Sequence, residues 1–190
     1  AKQKEVLDTF ARHYKNGDLL SEDLIKKVSD MDNFDAGYAG LRQTFLGKLD
    51  MAWHGGDPKT IKSVEELEDK LIAETWLFPR AAGPMSTSFG HIFSGGYSAG
   101  YYSYKWAEVL EADMFEEFEQ KGLYDRATGD RLRDTIYAQG GTRDPMDIFK
   151  DAKGREPDPN ALFRRQGLLP QNDNQTPKAE RKSGPQGPKQ

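Results

Sequence analysis

FGHIFSGGYSAGYYSYKWAEVLEADMFEEF, residues 89–118, joins a glycine-rich stretch to an aromatic, strongly acidic one. A glycine inside a helix or strand costs about 1 kcal/mol relative to alanine. Gly95 and Gly96 therefore point to a backbone that must bend, or to something that approaches it closely. Beside them stand His91 and the tyrosines at 97, 101, 102 and 104, all able to hydrogen-bond an oxygen. The spacing predicts a long helix over residues 98–121, closed by Gly122. On it Tyr97, Tyr101, Tyr104 and Glu108 fall at i, i+4, i+7 and i+11, which is one face. Tyr102, Trp106 and Val109 form a second, more apolar face expected to pack the helix against the body. Spacing alone leaves two readings open. One is an aromatic core stripe with its hydroxyls satisfied at the edge. The other is a glycine hinge presenting His91 and tyrosine donors to a substrate carbonyl or a developing oxyanion.

Working outward, the chain reads as mainly α. Val6, Leu7, Phe10 and Tyr14 keep helical spacing over residues 4–14, before Asn16-Gly17. Ser21 caps a short helix reaching Met31. Tyr38, Leu41, Phe45, Leu49 and Ala52 mark a longer one over residues 35–54, broken by Gly55, Gly56 and Pro58. Ser63-Val64-Glu65-Glu66 has the capping-box pattern and opens a helix to about Trp76. Residues 77–96 read as a loop, and two shorter helices are expected near 128–138 and 144–151. Period-two alternation is nearly absent, and there is no internal repeat. The division expected is a folded part over residues 1–168 and a tail over 169–190. From Pro170 onward there are four prolines, two glycines and no aliphatic residue larger than Ala179. Such a segment cannot bury enough apolar surface to offset the entropy of ordering it, so the tail is expected to be disordered.

Composition narrows the function classes. Net charge is −4 over 190 residues, against a nucleic-acid partner, because phosphate binding leans on clustered Lys and Arg. No run approaches the roughly 18 apolar residues of a spanning helix, so no membrane partner is expected. There are no cysteines, which removes thiol catalysis, disulfides and thiolate metal sites. No signal peptide is visible at Ala1. The expected compartment is cytoplasmic, with a periplasmic one the alternative, since a leader could lie upstream.

A self-contained active site is not legible. A hydrolytic metal site on a helix shows two ligands one turn apart, as in H-E-x-x-H, and none of His13, His54 and His91 has such a partner. His13 and His54 read as structural. Glu111, Asp113, Glu116 and Glu117 read as a solvated helix face. Ser86, Ser88 and Ser94 lie near His91 without a G-x-S-x-G elbow, which leaves a serine hydrolase using Ser94 and His91 as a distant third reading. Gly95-Gly96 has no following Lys-Ser/Thr, so no phosphate loop is expected.

The quoted segment resembles the His-Gly-Gly-Tyr-Tyr-Tyr segment of the zinc-dependent thimet oligopeptidase, oligopeptidase A and peptidyl-dipeptidase family. Residues 5–54 resemble the helices that follow that family's zinc ligands, and GGTRDPMDIFKDAKGREPDPNALFRRQGL, residues 140–168, looks like its carboxy-terminal ending. The resemblance implies a helical part of a zincin-type catalytic domain with a deep channel that admits short peptides. It also implies a zinc ion held by an H-E-x-x-H motif and a further Glu, neither of which this sequence contains. No zinc ligand is thus expected among these residues, and the zinc-bearing amino-terminal portion becomes the expected partner. Carried across, the resemblance makes Tyr104 the donor to the oxyanion and Tyr97 its assistant. His91 becomes a contact to the substrate backbone, Gly95, Gly96 and Gly100 sources of loop mobility, and Tyr101 a channel-lining or packing residue. The chain is then expected to be inactive alone. A different class stands beside this reading: a non-catalytic helical module that binds peptides or a partner protein. A lobe of a larger enzyme should leave a broad apolar surface uncovered, with Phe45, Leu49, Tyr101 and Tyr104 as candidates for it.

Overall fold

The computed structural model describes residues 2–79 and 83–170. The expected disordered tail lies, but for Leu169 and Pro170, outside the described residues. Within them the chain is helical, and the one β-type contact is an isolated antiparallel bridge between Arg12 and Leu19.

Among the described residues nine α-helices follow one another: α1 Lys4–Phe10, α2 Glu22–Asn33, α3 Ala36–His54, α4 Val64–Thr75, α5 Gly90–Phe93, α6 Ser103–Lys121, α7 Arg126–Leu132, α8 Pro145–Lys153 and α9 Asn160–Arg165. Capping chemistry sets many of their ends. The Ser21 hydroxyl accepts from the Leu24 N–H and the Ser63 hydroxyl from the Glu66 N–H, each satisfying an orphan donor of the first turn. Asp144 does the same for Met146 with Pro145 at the first helical position, and Gly154 closes α8 at φ 78°. α7 runs on into a π-helical turn, Arg133–Tyr137.

Three expected boundaries move. α1 stops at Phe10, and Tyr14 beyond it is exposed. α6 begins at Ser103 rather than at residue 98, because Gly96 at φ 79° and Ala99 at φ 54° lie in the left-handed region, which no right-handed helix contains. The predicted loop 77–96 holds a 3-10 turn, Met85–Ser88, and the short α5. Helix α9 was not anticipated.

Among the described residues the core falls into three clusters. In one, Phe45, Leu46 and Leu49 of α3 meet Leu71 of α4, Phe89 and Ile92 at α5, and Tyr101. In the second, α6 lays Ala112 against Ala161 and Leu162 of α9, and in the third Met114 against Phe149 and Ala152 of α8. Phe45, Leu49 and Tyr101 are thus buried, contrary to the uncovered surface expected of them, while Tyr104 is 39% exposed. The apolar residues left uncovered lie elsewhere: Leu24 and Met31 of α2, the following Phe34 at 79% exposure, and Leu77 and Phe78. Tyr102 and Trp106 are also exposed, not packed as expected, because the first turns of α6 have no buried residue and its contact with the core begins at Ala112.

The acidic run of α6 is solvated only at Glu111, whose side chain is 59% exposed. Asp113 is fully buried and takes both terminal nitrogens of Arg155, at 2.7 and 2.6 Å, with the Lys153 ammonium at 3.1 Å and the Asp158 N–H at 2.7 Å. Glu116 pairs with Arg164 at 2.7 Å, Glu117 with Arg131 and Glu111 with Arg165. Residues 153–165 are therefore clasped to α6 by charge. No described helix is long and apolar enough to cross a membrane.

Candidate functional site

The segment from Pro84 to Tyr104 is shaped by its own short bonds. The Gly95 N–H donates to the Gly90 carbonyl at 2.8 Å, the Tyr97 N–H to the His91 carbonyl at 3.1 Å, and the Gly100 N–H to the Tyr97 carbonyl at 2.9 Å. Gly95 is required by space: a Cβ there would sit 2.9 Å from both Cα and the carbonyl oxygen of His91. Gly96 is required by its positive φ. At Gly100 a Cβ would meet nothing closer than 3.6 Å, so its place is not a steric demand.

This winding brings the predicted aromatic residues together, although not along a helix. The His91 ring centre lies 5.9 Å from that of Tyr97, 5.8 Å from Tyr101 and 6.1 Å from Tyr104. Tyr104 in turn lies 4.9 Å from Tyr97 and 5.3 Å from Tyr101. Phe89 packs edge-on against Tyr101 at 4.9 Å beneath them. Tyr101, 8% exposed, belongs to the core and forms the floor, whereas His91 and Tyr104 face outward and Tyr97 is half-buried. Tyr101 is thus core, and Tyr97 and Tyr104 form its accessible edge.

Interaction with the Tyr97 hydroxyl, then burial and the neighbouring phenols of Tyr97 and Tyr101, hold the Tyr104 phenol above the ordinary tyrosine range. Tyr104 therefore keeps its proton at neutral pH and stays a donor. An exposed imidazole and a protonated phenol side by side can hydrogen-bond a peptide carbonyl or a negatively charged oxygen; neither is a nucleophile here.

Two carboxylates that spacing did not single out support the segment from below. Asp50 of α3, fully buried, accepts the Ala99 N–H at Oδ1 (2.8 Å) and the Tyr101 N–H at Oδ2 (2.9 Å). His54, one turn on, places Nδ1 at 2.8 Å from Oδ1. Glu68 of α4, also fully buried, accepts the Met85 N–H at 2.8 Å and both the N–H and the hydroxyl of Ser86 at 2.6 Å. Trp53 Nε1 completes the set by donating to the Ser86 hydroxyl at 2.9 Å. A signal was present for both. Asp50 sits inside the apolar run Leu46, Leu49, Trp53, and Glu68 lies one turn from Val64 and from Ile72, so each interrupts a buried stripe.

The described residues offer no home for a metal ion. No group of three or more His, Asp or Glu side chains among them is arranged to hold one, and the Nδ1 of His54 is engaged by Asp50. Ser94 donates its hydroxyl to the Gly90 carbonyl at 3.0 Å, not to His91, which leaves the serine-hydrolase reading without its central contact.

The family model described as peptidase family M3 matches residues 1–168. The chain belongs to that family. Among curated relatives it is 41% identical over 175 residues to an organellar oligopeptidase A of Arabidopsis thaliana, covering 87% of this chain and 22% of that protein. It is 37% identical over 172 residues to an oligopeptidase A of Escherichia coli, covering 87% and 25%. A dipeptidyl carboxypeptidase of Salmonella typhimurium is 33% identical over 171 residues, covering 88% and 25%. The M3 chain thus spans about a quarter of the length of the relatives it matches.

Proposed function

We propose that this chain is the carboxy-terminal part of the catalytic domain of a zinc-dependent oligopeptidase, and that it supplies the side of the site that holds a short peptide. In this reading His91 donates to the substrate backbone. Tyr104, assisted by Tyr97, donates to the scissile carbonyl and to the oxyanion that develops on it, and Tyr101 lines the floor. Zinc would be held by ligands outside this chain, on the portion that is its partner. The observation that carries the reading is the convergence of His91, Tyr97, Tyr101 and Tyr104 at an accessible edge, with Tyr104 kept protonated. The apolar residues of α2 left uncovered are what a lobe of a larger protein would present.

The test has two arms. The 190-residue chain alone, with and without added zinc, should not cleave a quenched short peptide. A chimera in which residues 1–168 replace the matching quarter of the Escherichia coli oligopeptidase A should cleave it in a chelator-sensitive way. Tyr104→Phe in that chimera should lower kcat by about a hundredfold with little change in KM, the usual cost of removing one oxyanion donor. Zinc-dependent hydrolysis by the isolated chain, or an unchanged kcat in Tyr104→Phe, would refute the proposal.

One observation favours the second reading, a non-catalytic peptide-binding module. Phe45, Leu49 and Tyr101 form a closed core rather than a severed one. Under that reading the chimera is inactive while the chain alone binds peptide.

A further inference from the structure

The local bonds of the Pro84–Tyr104 segment fix its shape, but they do not fix where that shape stands on α3 and α4. Apolar packing through Phe89, Ile92 and Tyr101 sets its depth, and packing of that kind is non-directional. Direction has to come from hydrogen bonds that reach from the helices to the segment. Those to its backbone are made by two buried carboxylates, one from each helix and one near each end of the segment. Each spreads its two oxygens over two backbone N–H groups: Glu68 over Met85 and Ser86, Asp50 over Ala99 and Tyr101.

We propose that Asp50 and Glu68 are positioning residues that set the peptide-binding geometry of His91, Tyr97 and Tyr104 by gripping the segment's backbone at its two ends. The proposal rests on the peptide-binding reading above and adds to it which groups hold the site in register. Three features support it. A carboxylate taken fully out of water is costly unless hydrogen bonds replace its hydration, yet two such groups lie beneath one exposed loop. Ala99 holds φ at 54°, which an L-residue resists, and its N–H is one of the two that Asp50 accepts. The two grips are also linked to each other. Asp50, Trp53 and His54 share one turn of α3, with Trp53 bonded to the Ser86 hydroxyl that Glu68 holds and His54 bonded to Asp50.

The experiment uses the 190-residue chain as it stands. Amide hydrogen exchange and ring-to-ring nuclear Overhauser effects between His91 and Tyr104 are measured by NMR. Binding of a fluorescein-labelled, end-capped Ala-Ala-Phe-Ala-Ala peptide is followed by polarisation. In the unsubstituted chain the Ala99 amide, although at the surface, should exchange about tenfold or more slowly than an unbonded one. Asp50→Asn keeps the size and one acceptor oxygen but turns an amide NH2 toward an N–H. It should restore fast exchange at Ala99 and Tyr101, weaken the His91–Tyr104 contact and raise Kd about tenfold, leaving protection in α6 and α9 unchanged. Glu68→Gln should do the same at Met85 and Ser86. Leu71→Ala, which loosens the same core without touching either carboxylate, should keep Kd within about twofold. The proposal is overturned if both carboxylate variants leave exchange, ring contact and Kd unchanged, or if Leu71→Ala raises Kd as much as they do. Should Asp50→Asn not fold, fast exchange at Ala99 in the unsubstituted chain overturns it as well. Failure of the unsubstituted chain to bind peptide would instead count against the functional reading, while exchange and ring contacts still decide the positioning.

Discussion

Asp50 and Asp113 are both fully buried aspartates on nineteen-residue helices, and their partners could hardly differ more. Asp50 is satisfied by two backbone N–H groups and an imidazole, with no Lys or Arg among the described residues bonded to it. Asp113 is satisfied mainly by cations, Arg155 and Lys153, which come from a different stretch of chain. The first arrangement serves an irregular segment, because N–H groups left over from helix or turn can be met only by something that reaches the backbone itself. The second serves docking, because a guanidinium can travel on its own side chain and clasp one element to another. In this chain, backbone capture shapes the candidate site and charge pairing fastens its frame.

The largest effect that would separate the two regions comes from breaking the clasp. Asp113→Ala takes the carboxylate from Lys153, 6% exposed, and from Arg155, and leaves them backbone carbonyls and the more distant Glu117. Removing one partner of a buried pair costs about 3–5 kcal/mol, which urea unfolding should register. Hydrogen exchange should assign the loss to α8 and α9 and spare the Ala99 and Tyr101 amides. Acid gives the same contrast without a substitution. Burial alone would push the Asp113 carboxyl up, but Arg155, the Asp158 N–H and Lys153 together hold it below the ordinary range. A depressed carboxyl contributes its full stability above the ordinary aspartate value of about 3.9 and loses it as pH falls toward the lower folded value. Protection of α8 and α9 should therefore persist down to about pH 4 and fade below it.

A middle-sized effect concerns the loop. Gly95→Ala places a methyl 2.9 Å from the His91 backbone, so the chain itself must shift, at a cost of about 1–3 kcal/mol. Gly100→Ala meets nothing nearer than 3.6 Å and should stay within about 1 kcal/mol of the unsubstituted chain by thermal unfolding. Equal costs at the two glycines would mean that the loop is not set by backbone fit.

These contrasts also explain what the sequence made legible. Helices α2 and α4 announce themselves by their serine caps and α3 by its apolar spacing, since both signals are local. The convergence of Tyr97, Tyr101 and Tyr104 was visible in their spacing for a reason that proved incidental. A turn through Gly96 and Ala99, both at positive φ, carries the three rings to the same side that a helix would have. The helix start was accordingly placed five residues early. Helix α9 stayed hidden because its six residues follow Pro157 and Pro159, and it stands through contacts with α6 rather than through its own pattern. The acidic run of α6 misled for a related reason. Glu111, Asp113, Glu116 and Glu117 look solvated until the arginines from residues 131–165 are folded onto them. Asp50 and Glu68 each interrupt an apolar stripe, a faint signal among many acids that burial makes plain.

The smallest effect tests whether the clasp is electrostatic in solution as well as in geometry. Arg165 pairs with Glu111 and Arg143 with Asp151 at exposed positions, where single pairs contribute about 0–1 kcal/mol and are screened by salt. At 1 M salt the screening length falls to about 3 Å, so these outer pairs should weaken while the buried Asp113 keeps most of its attraction. The expected result is a loss of less than about 1 kcal/mol in the exchange protection of α9. The Ala99 and Tyr101 amides should not respond, because Asp50 is shielded from the solvent and its bonds are short contacts to uncharged groups. A larger fall at α9 would mean that the outer pairs, not Asp113, carry the clasp. A fall at Ala99 and Tyr101 would mean that water and ions reach Asp50, and the distinction between a captured backbone and a clasped frame would no longer hold.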